Sequence, residues 1–260
     1  MRDTELERLG QIPRDVVVIE RQFPAGSRYP THCHERGQLA YAKRGCISVM
    51  TLFGHWLVPP GRAVWVPAGI KHEMQMLGPV TMLNTFVSTD AAEEIGLAKH
   101  CQVCAVSPLL YQLLLQAVDL PLAYPTVGRS HHLMNLLLAE IPMATVLPLH
   151  APLPMNEDLA DLCRTLLAAP TLQMDTDDMA KRMAMSRSTF TRFFRKETGI
   201  SFMQWRQQAC LLAAIARLEA GQSVTTVALD LGYGSPSAFT ALFRKTLGMS
   251  PQAYVRMQAN

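Results

Sequence analysis

Residues 186–199, SRSTFTRFFRKETG, are repeated 49 positions later as residues 235–248, SPSAFTALFRKTLG. Each copy begins with serine, a preferred N-cap residue, and ends with glycine, which suits the left-handed turn after a helix. Phe190 and Phe194 are four residues apart, so they lie on one helical face. The two copies therefore predict two capped helices of the same kind.

A shorter apolar segment precedes each copy. Residues 179–183, MAKRM, align with residues 227–231, VALDL, at an offset of 48, so the second copy has one additional residue in its turn. A short helix, a turn of three or four residues and a second helix are the parts of a helix-turn-helix unit. We therefore predict a paired helix-turn-helix domain over residues 155–257, with duplex DNA as its partner.

The polar face of the second helix in each unit holds the candidate DNA contacts. Arginine can donate two hydrogen bonds to guanine, whereas serine and threonine contact bases or phosphates. One such face is often merely solvated, but its recurrence in a second copy favours DNA contact. The candidates are Arg187, Ser188, Thr191, Arg192 and Arg195 in the first copy and Ser237, Thr240, Arg244 and Lys245 in the second. Ala241 replaces Arg192 in the second copy, so we expect the first helix to discriminate more between bases.

A helix predicted over residues 202–220 separates the two units. Ser201 caps it, Gly221 ends it, and its span of roughly 28 Å at 1.5 Å per residue approaches the roughly 34 Å between adjacent major-groove faces. One chain could therefore place both second helices in successive grooves.

Residues 157–257 resemble the AraC/XylS-type regulators, through the A-x-x-x-G-Y run that ends at Tyr233 and the F-x-R/K-x-x-x-G-x-S/P pattern in both copies. The resemblance implies a DNA-binding domain controlled by a sensing or dimerising N-terminal domain. Cys210 stands where many members carry a basic residue, although Arg206 is nearby. The whole chain is similar to the NimR-like branch, which implies control of a neighbouring transporter gene and of its own gene, as activator or repressor.

Charge divides the chain into two halves. Residues 1–159 have a net charge of −2 and residues 160–260 a net charge of +5, so the basic surplus lies with the repeat. No apolar run reaches the roughly 20 residues of a membrane helix, and the N-terminus has no apolar signal core, so we expect a cytoplasmic protein without a membrane partner. Six cysteines are too few for a disulfide scaffold, and we expect Cys101 and Cys104 to be buried rather than to bind zinc.

The N-terminal half alternates short β-favouring runs with glycine and proline. We predict an α+β fold, with a cupin-like sensing barrel over residues 1–90 and a helical cover or dimerisation segment with a linker over 91–150. Five strands, three helices and one exposed linker are expected. They are strands at 16–19, 38–42, 47–53, 63–66 and 81–87, helices at 93–103, 108–118 and 131–141, and the linker at 142–154.

Two segments, residues 26–45 and 61–72, resemble the two sequence motifs of cupin barrels. His32, His34 and His72 stand at the positions of metal-binding histidines, but Gln38 replaces the expected glutamate and Glu35 is out of register. The alternatives are a divalent metal site, a metal-free effector pocket and purely structural histidines.

The main hypothesis is a sequence-specific transcription regulator that responds to an effector. A small-molecule effector, a second copy of the chain and RNA polymerase are further candidate partners. The alternative is a metal-dependent cupin enzyme, a dioxygenase or an isomerase. Gln38 disfavours the enzyme because an uncharged ligand weakens a catalytic metal site.

Overall fold

The computed structural model describes residues 8–259, and side-chain surroundings for residues 8–257. The chain forms two compact units. One contains residues up to 51 together with 58–147, and the other contains residues 52–57 together with those from 148 onward. The first is rich in strands and the second in helices, so the α+β fold class is confirmed.

The strands belong to antiparallel sheets. They are β1 (Val16–Phe23), β2 (Arg28–His32), β3 (Gly37–Arg44), β4 (Ile47–Thr51), β5 (Gly54–Val58), β6 (Arg62–Val66), β7 (His72–Met76), β8 (Val80–Val87), β9 (Gln102–Ala105), β10 (Val146–Leu147) and β11 (His150–Pro152). In the first unit, one sheet has the order β1-β8-β3-β6-β9-β10, and β7 lies between β4 and β2 in the other. In the second unit, β11 pairs with β5.

Three helices follow β8 in the first unit: α1 (Thr89–Glu94), α2 (Pro108–Val118) and α3 (Gly128–Glu140). Side chains alternate between the two faces of a strand. Val16 and Val18 of β1 therefore share one face, where they join a buried cluster with Leu114 of α2 and Leu137 of α3. The helices after the strands thus cover the outer face of the larger sheet.

The helix predicted over residues 93–103 is wrong. It ends at Glu94, and Gly96 adopts a positive φ of 69°. Val103 and Cys104 instead pair with Val64 and Ala63, so they form strand β9. Both satisfy their backbone groups in the sheet while their side chains remain buried.

The exposed linker predicted over residues 142–154 is also wrong. The segment is punctuated by proline and is largely non-helical, but it supplies β10 and β11. Leu149 and Ala151 are completely buried and Leu153 is nearly so. Proline thus prevents a long helix here, while the short strands bury the intervening apolar residues.

The second unit contains seven helices in the described part of the chain. They are α4 (Glu157–Ala168), α5 (Thr176–Arg182), α6 (Arg187–Thr198), α7 (Phe202–Glu219), α8 (Val224–Asp230), α9 (Pro236–Leu247) and α10 (Pro251–Ala259). Helices α5 and α6 form the first helix-turn-helix unit, and α8 and α9 form the second. The predicted repeat and the separating helix are confirmed.

The turns of the two units require a left-handed residue at equivalent positions. Gly232 has a φ of 80° between α8 and α9, whereas Ala184 has a φ of 52° between α5 and α6. A Cβ on Gly232 would lie 2.9 Å from Thr171 Oγ1, so glycine also avoids a close contact there. Ala184 is the described non-glycine residue with positive φ, and such a conformation is unfavourable for an L-residue.

No helix in the described part of the chain is long and apolar enough to span a membrane. Cys101 and Cys104 are buried, as predicted. Burial raises the pKa of the Cys101 thiol to about 12 and that of Cys104 to about 11, so both remain protonated at neutral pH. Both side chains thus act as small apolar groups in the first unit.

Candidate functional site

Helix α6 is fixed at both ends by the residues that the sequence indicated. The Ser186 side chain accepts a hydrogen bond from the Thr189 amide at 3.2 Å, and Gly199 takes the left-handed conformation after the last turn. Phe190 and Phe194 are fully buried on one face. The other face is consequently held towards solvent.

The outward face of α6 carries the predicted DNA contacts. Ser188, Thr191, Arg192 and Arg195 are all exposed. The Thr191 hydroxyl donates to the Arg187 carbonyl at 2.8 Å, which leaves its oxygen as an acceptor. Within residues 8–259, neither Arg192 nor Arg195 takes part in an ion pair, so both guanidinium groups can approach an external acceptor.

Arg187 differs from the other two arginines. Its Nη1 donates to Asp177 Oδ2 on α5 at 2.7 Å. This contact was not predicted from the sequence, because the two residues are ten positions apart and belong to different helices. The first turn of α5 is acidic, whereas the first turn of α8 has no acidic residue. This difference between the two copies is the sequence feature that could have indicated the contact.

Helix α9 presents a weaker version of the same face. Ser237, Arg244 and Lys245 are exposed, and Thr240 is half-buried with its hydroxyl donating to the Pro236 carbonyl at 2.8 Å. Ala241 stands where α6 has Arg192. The second face therefore has one arginine fewer, as its sequence indicates.

Aromatic packing anchors α6 to the rest of its unit. Phe194 meets the Trp205 ring edge-on with centroids 6.0 Å apart, and Phe202 stacks on Trp205 at 6.3 Å. Arg206 Nη1 donates to the Met174 carbonyl, and this contact ties α7 to the segment before α5. Cys210 is fully buried and carries no charge. Arg206 is therefore the basic residue that fixes the position of α7.

Three histidines lie together in the first unit. His32 pairs with His72 across β2 and β7, and His34 follows two residues after β2. Their ring centroids are 4.3 Å apart for His32 and His72, 5.1 Å for His34 and His72, and 6.2 Å for His32 and His34. Gln38 of β3 lies against His34, so the structure brings together all four residues predicted for this site.

A backbone carbonyl accepts a hydrogen bond from Nδ1 of each ring. His32 Nδ1 donates to the Pro30 carbonyl and His72 Nδ1 to that of Ile70, both at 2.9 Å, and His34 Nδ1 donates to the Arg36 carbonyl. A carbonyl oxygen only accepts, so each Nδ1 carries a proton. His34 Nε2 lies 3.1 Å from Gln38 Oε1, at hydrogen-bond distance. His72 Nε2 is buried without a hydrogen-bond partner among the described residues.

Burial favours the neutral form of two rings in the cluster. Burial lowers the pKa of His72 to about 4, and burial is also the largest cause of the lowered pKa of His34. Gln38 links His34 to Asn84, with Gln38 Nε2 donating to Asn84 Oδ1 at 2.6 Å. Glu35 is exposed and adds no carboxylate. His72 Nε2, which has no partner among the described residues, can thus accept a hydrogen bond from a ligand.

These residues do not form a complete metal site. Across residues 8–259, no three His, Cys, Asp or Glu side chains have the arrangement needed to hold a metal ion. Gln38 can supply only a neutral amide oxygen, so the ligand set has no negative charge. The arrangement fits a hydrogen-bond donor better than a divalent cation.

A neighbouring cleft was not predicted from the sequence. Its volume is about 630 Å³, and Trp65, Pro67, Ile70 and Leu97 are among its lining residues. One wall is connected to the histidines, because the Gly69 amide donates to the His34 carbonyl at 2.9 Å and Ile70 accepts from His72. Movement of this wall would therefore affect two histidines.

Comparison with known proteins gives two family matches. Residues 15–145 match the AraC-like ligand binding domain, and residues 179–257 match a helix-turn-helix domain. The HTH-type transcriptional regulator NimR of Escherichia coli K12 is 31% identical, over 87% of this chain and 82% of that protein. The HTH-type transcriptional regulator RipA of Corynebacterium glutamicum is 30% identical, over 41% of this chain and 32% of its own. The crystal structure of the AdpA DNA-binding domain with a target DNA is 38% identical and covers 39% of this chain and 93% of that one, with a TM-score of 0.37.

Proposed function

This chain belongs to the AraC family of helix-turn-helix transcription regulators, and we propose that α6 is its main base-reading helix. It is a DNA-binding regulator that responds to an effector, and not an enzyme. The observation that carries the proposal is the exposed face of α6, where Arg192 and Arg195 are without ion pairs among the described residues. Arg187, Ser188 and Thr191 complete the proposed contact surface.

Helix α9 supplies the second contact. Ser237, Thr240, Arg244 and Lys245 offer hydroxyl and cationic groups suited mainly to phosphates. Helix α7 has 18 residues, or roughly 27 Å at 1.5 Å per residue, which is comparable to the roughly 34 Å between adjacent major-groove faces. One chain would thus contact two successive grooves.

The histidine cluster is the proposed effector pocket. His32, His34 and His72 direct their imidazole rings to one place and Gln38 adds an amide, so an N–H or O–H donor on a small molecule fits the unpartnered His72 Nε2. Gln38 also favours a metal-free occupant over a divalent ion. We further propose a neighbouring transporter gene and the regulator's own gene as targets, as the sequence resemblance to the NimR-like branch implies.

A second copy of the chain is the proposed protein partner. Leu136 on α3 and Met143 just after it are 45% and 76% exposed, which leaves apolar surface outside the core cluster. Analytical ultracentrifugation tests this surface, because Leu136→Asp should convert a dimer to a monomer. RNA polymerase is the partner that we propose at the promoter, and we propose the cytoplasm as the location of the protein because its DNA partner lies there.

Gel-shift titration tests the DNA-binding proposal. The purified full chain is titrated against its own upstream region and a scrambled duplex at two salt concentrations. Binding at least about a thousandfold tighter to the first duplex supports a specific site. Equal affinity for the scramble and for every sequence selected from random DNA contradicts it.

A thermal-shift screen tests the pocket. Wild type and His34→Ala are compared with small molecules that carry N–H or O–H donors, and with Zn²⁺ and Mn²⁺. Compounds that raise the melting temperature of wild type alone support the pocket. A shift by Zn²⁺ or Mn²⁺ that His34→Ala loses makes a metal the occupant instead. Equal shifts in both variants contradict the assignment.

A further inference from the structure

The ion pair between Arg187 and Asp177 connects the two helices of the first helix-turn-helix unit. Arg187 is the first residue of α6 and Asp177 lies in the first turn of α5. Their side chains are 65% and 47% exposed, so the pair lies at the surface. Arg187 is therefore held by a carboxylate on the side where the unit presents its candidate DNA contacts.

The second unit has neither partner. Thr225 is equivalent to Asp177 and Pro236 to Arg187, yet α8 and α9 form the same capped unit. The fold of such a unit consequently does not require the pair. An exposed ion pair also contributes little to stability, so the pair is available for a role other than stabilising the fold.

The other acidic residues of this turn have local roles. Asp175 caps α5 by accepting a hydrogen bond from the Asp177 amide at 2.6 Å. Asp178 pairs with Lys181 on the same helix at 3.5 Å. Asp177 is the member of the turn whose carboxylate extends to α6.

We propose that Asp177 is a specificity-determining residue, which orients the Arg187 guanidinium towards a base edge and opposes its use as a phosphate contact. This inference rests on the proposed role of α6. The structure shows one hydrogen bond from Arg187 to Asp177, and a guanidinium has five N–H donors, so enough remain for the two acceptors of guanine. A neutral guanine edge tolerates a carboxylate behind the guanidinium, whereas an anionic phosphate is repelled by it.

The consequence for DNA binding is a penalty on non-specific complexes. Phosphate contacts supply most of non-specific affinity and its salt dependence. Asp177 weakens these contacts at Arg187 while it leaves a base contact in place. Discrimination thus improves through a repulsive group rather than an additional attractive one.

The experiment compares Asp177→Ala with the matched control Asp178→Ala in the full chain. Both variants lose one negative charge from the same turn of α5. Each is titrated against a duplex selected from random DNA with wild type and against its scramble, over a range of salt concentrations. Arg187→Ala and the double variant Asp177→Ala/Arg187→Ala complete a cycle, and circular dichroism verifies that each variant is folded.

For Asp177→Ala we expect tighter binding to the scramble and a ratio of selected to scrambled affinity that falls at least about fivefold. The slope of log affinity against log salt should become steeper by about 0.9, as one more phosphate is neutralised. Asp178→Ala should leave the ratio unchanged, and the double variant should match Arg187→Ala.

Two results would overturn the inference, and they are distinguishable. If Asp177→Ala behaves like Asp178→Ala in both ratio and salt slope, the pair has no role in specificity although α6 still reads DNA. If wild type itself fails to discriminate between the duplexes, the proposed role of α6 is wrong and the inference fails with it.

Discussion

Trp205 Nε1 donates a hydrogen bond of 2.8 Å to the carbonyl oxygen of Pro152. The same indole is fully buried and contacts Phe194 of α6 edge-on. One side chain therefore joins strand β11 to the helix that we propose reads bases. The position of α6 depends on this contact as well as on its own caps.

Trp205→Phe should loosen α6. The change keeps an aromatic ring but leaves the Pro152 carbonyl without its donor, which costs about 1 to 2 kcal/mol. Amide hydrogen exchange in residues 187–198 should then become about 5 to 30 times faster. Trp65→Phe is the matched control, because the Trp65 indole donates to the Ala98 carbonyl at 2.8 Å in the first unit. Unchanged exchange in α6 of Trp205→Phe would refute this role.

Ala184→Gly should stabilise the second unit. Ala184 has a φ of 52°, and relief of this conformation outweighs the extra backbone entropy of glycine by about 0.5 to 1 kcal/mol. The urea midpoint of the helical unit measures the gain. Gly232→Ala, at the equivalent turn, should lower the midpoint, because its Cβ would also meet Thr171. A lower midpoint for Ala184→Gly would contradict the expectation.

Arg192→Ala should reduce the difference in affinity between DNA sites that differ at the base contacted by Arg192. Loss of a guanidinium that contacts a guanine costs about 1 to 3 kcal/mol at the preferred base, and little at the others. Competition gel shifts with single-base variants of the selected duplex measure this effect. Arg164→Ala on α4 removes the same charge from a residue paired with Asp161, and it should keep the wild-type pattern. Equal losses on every sequence would show that Arg192 contacts only phosphate.

The stability of the first unit should fall as the pH is lowered from about 6.5 to about 4. The pKa of His72 is about 4 in the folded protein and about 6.5 in an unfolded chain, so the unfolded state binds more protons in this interval. Above this interval His72 is neutral in both states and contributes no pH dependence. Urea titrations in the presence of EDTA measure the slope, which should be shallower in His72→Gln. His100→Gln, at an exposed position, is the control, and an identical slope in all three proteins would contradict the assignment.

The helical unit was largely predictable because its signals are local. Ser186, Gly199, Ser235 and Gly248 act within one turn of the backbone that they cap, so their roles follow from neighbouring residues alone. The aromatic residues recur at helical spacing, and the duplication supplies an independent second instance. The capped helices, the repeat and its separating helix were consequently determined by the sequence itself.

The strand-rich unit was less predictable because strand pairing joins distant residues. The apolar character of Val103 is compatible with either a helix or a strand. Its pairing with Val64 determines that it belongs to strand β9. Similarly, residues 150–152 resemble a linker, yet pairing with β5 places them in a sheet. The local strand propensity of a segment is a weak predictor of its structure where pairing with a distant strand satisfies the backbone hydrogen bonds.

The functional residues follow the same division. The identity of the arginines and histidines, and the spacing that puts Arg192 and Arg195 on one face, come from the sequence. Only the tertiary structure brought Asp177 to Arg187, Pro152 to Trp205, and the three histidine rings to a common cluster. Each of these relationships depends on side chains from separate elements, and their distances are set by packing rather than by position along the chain.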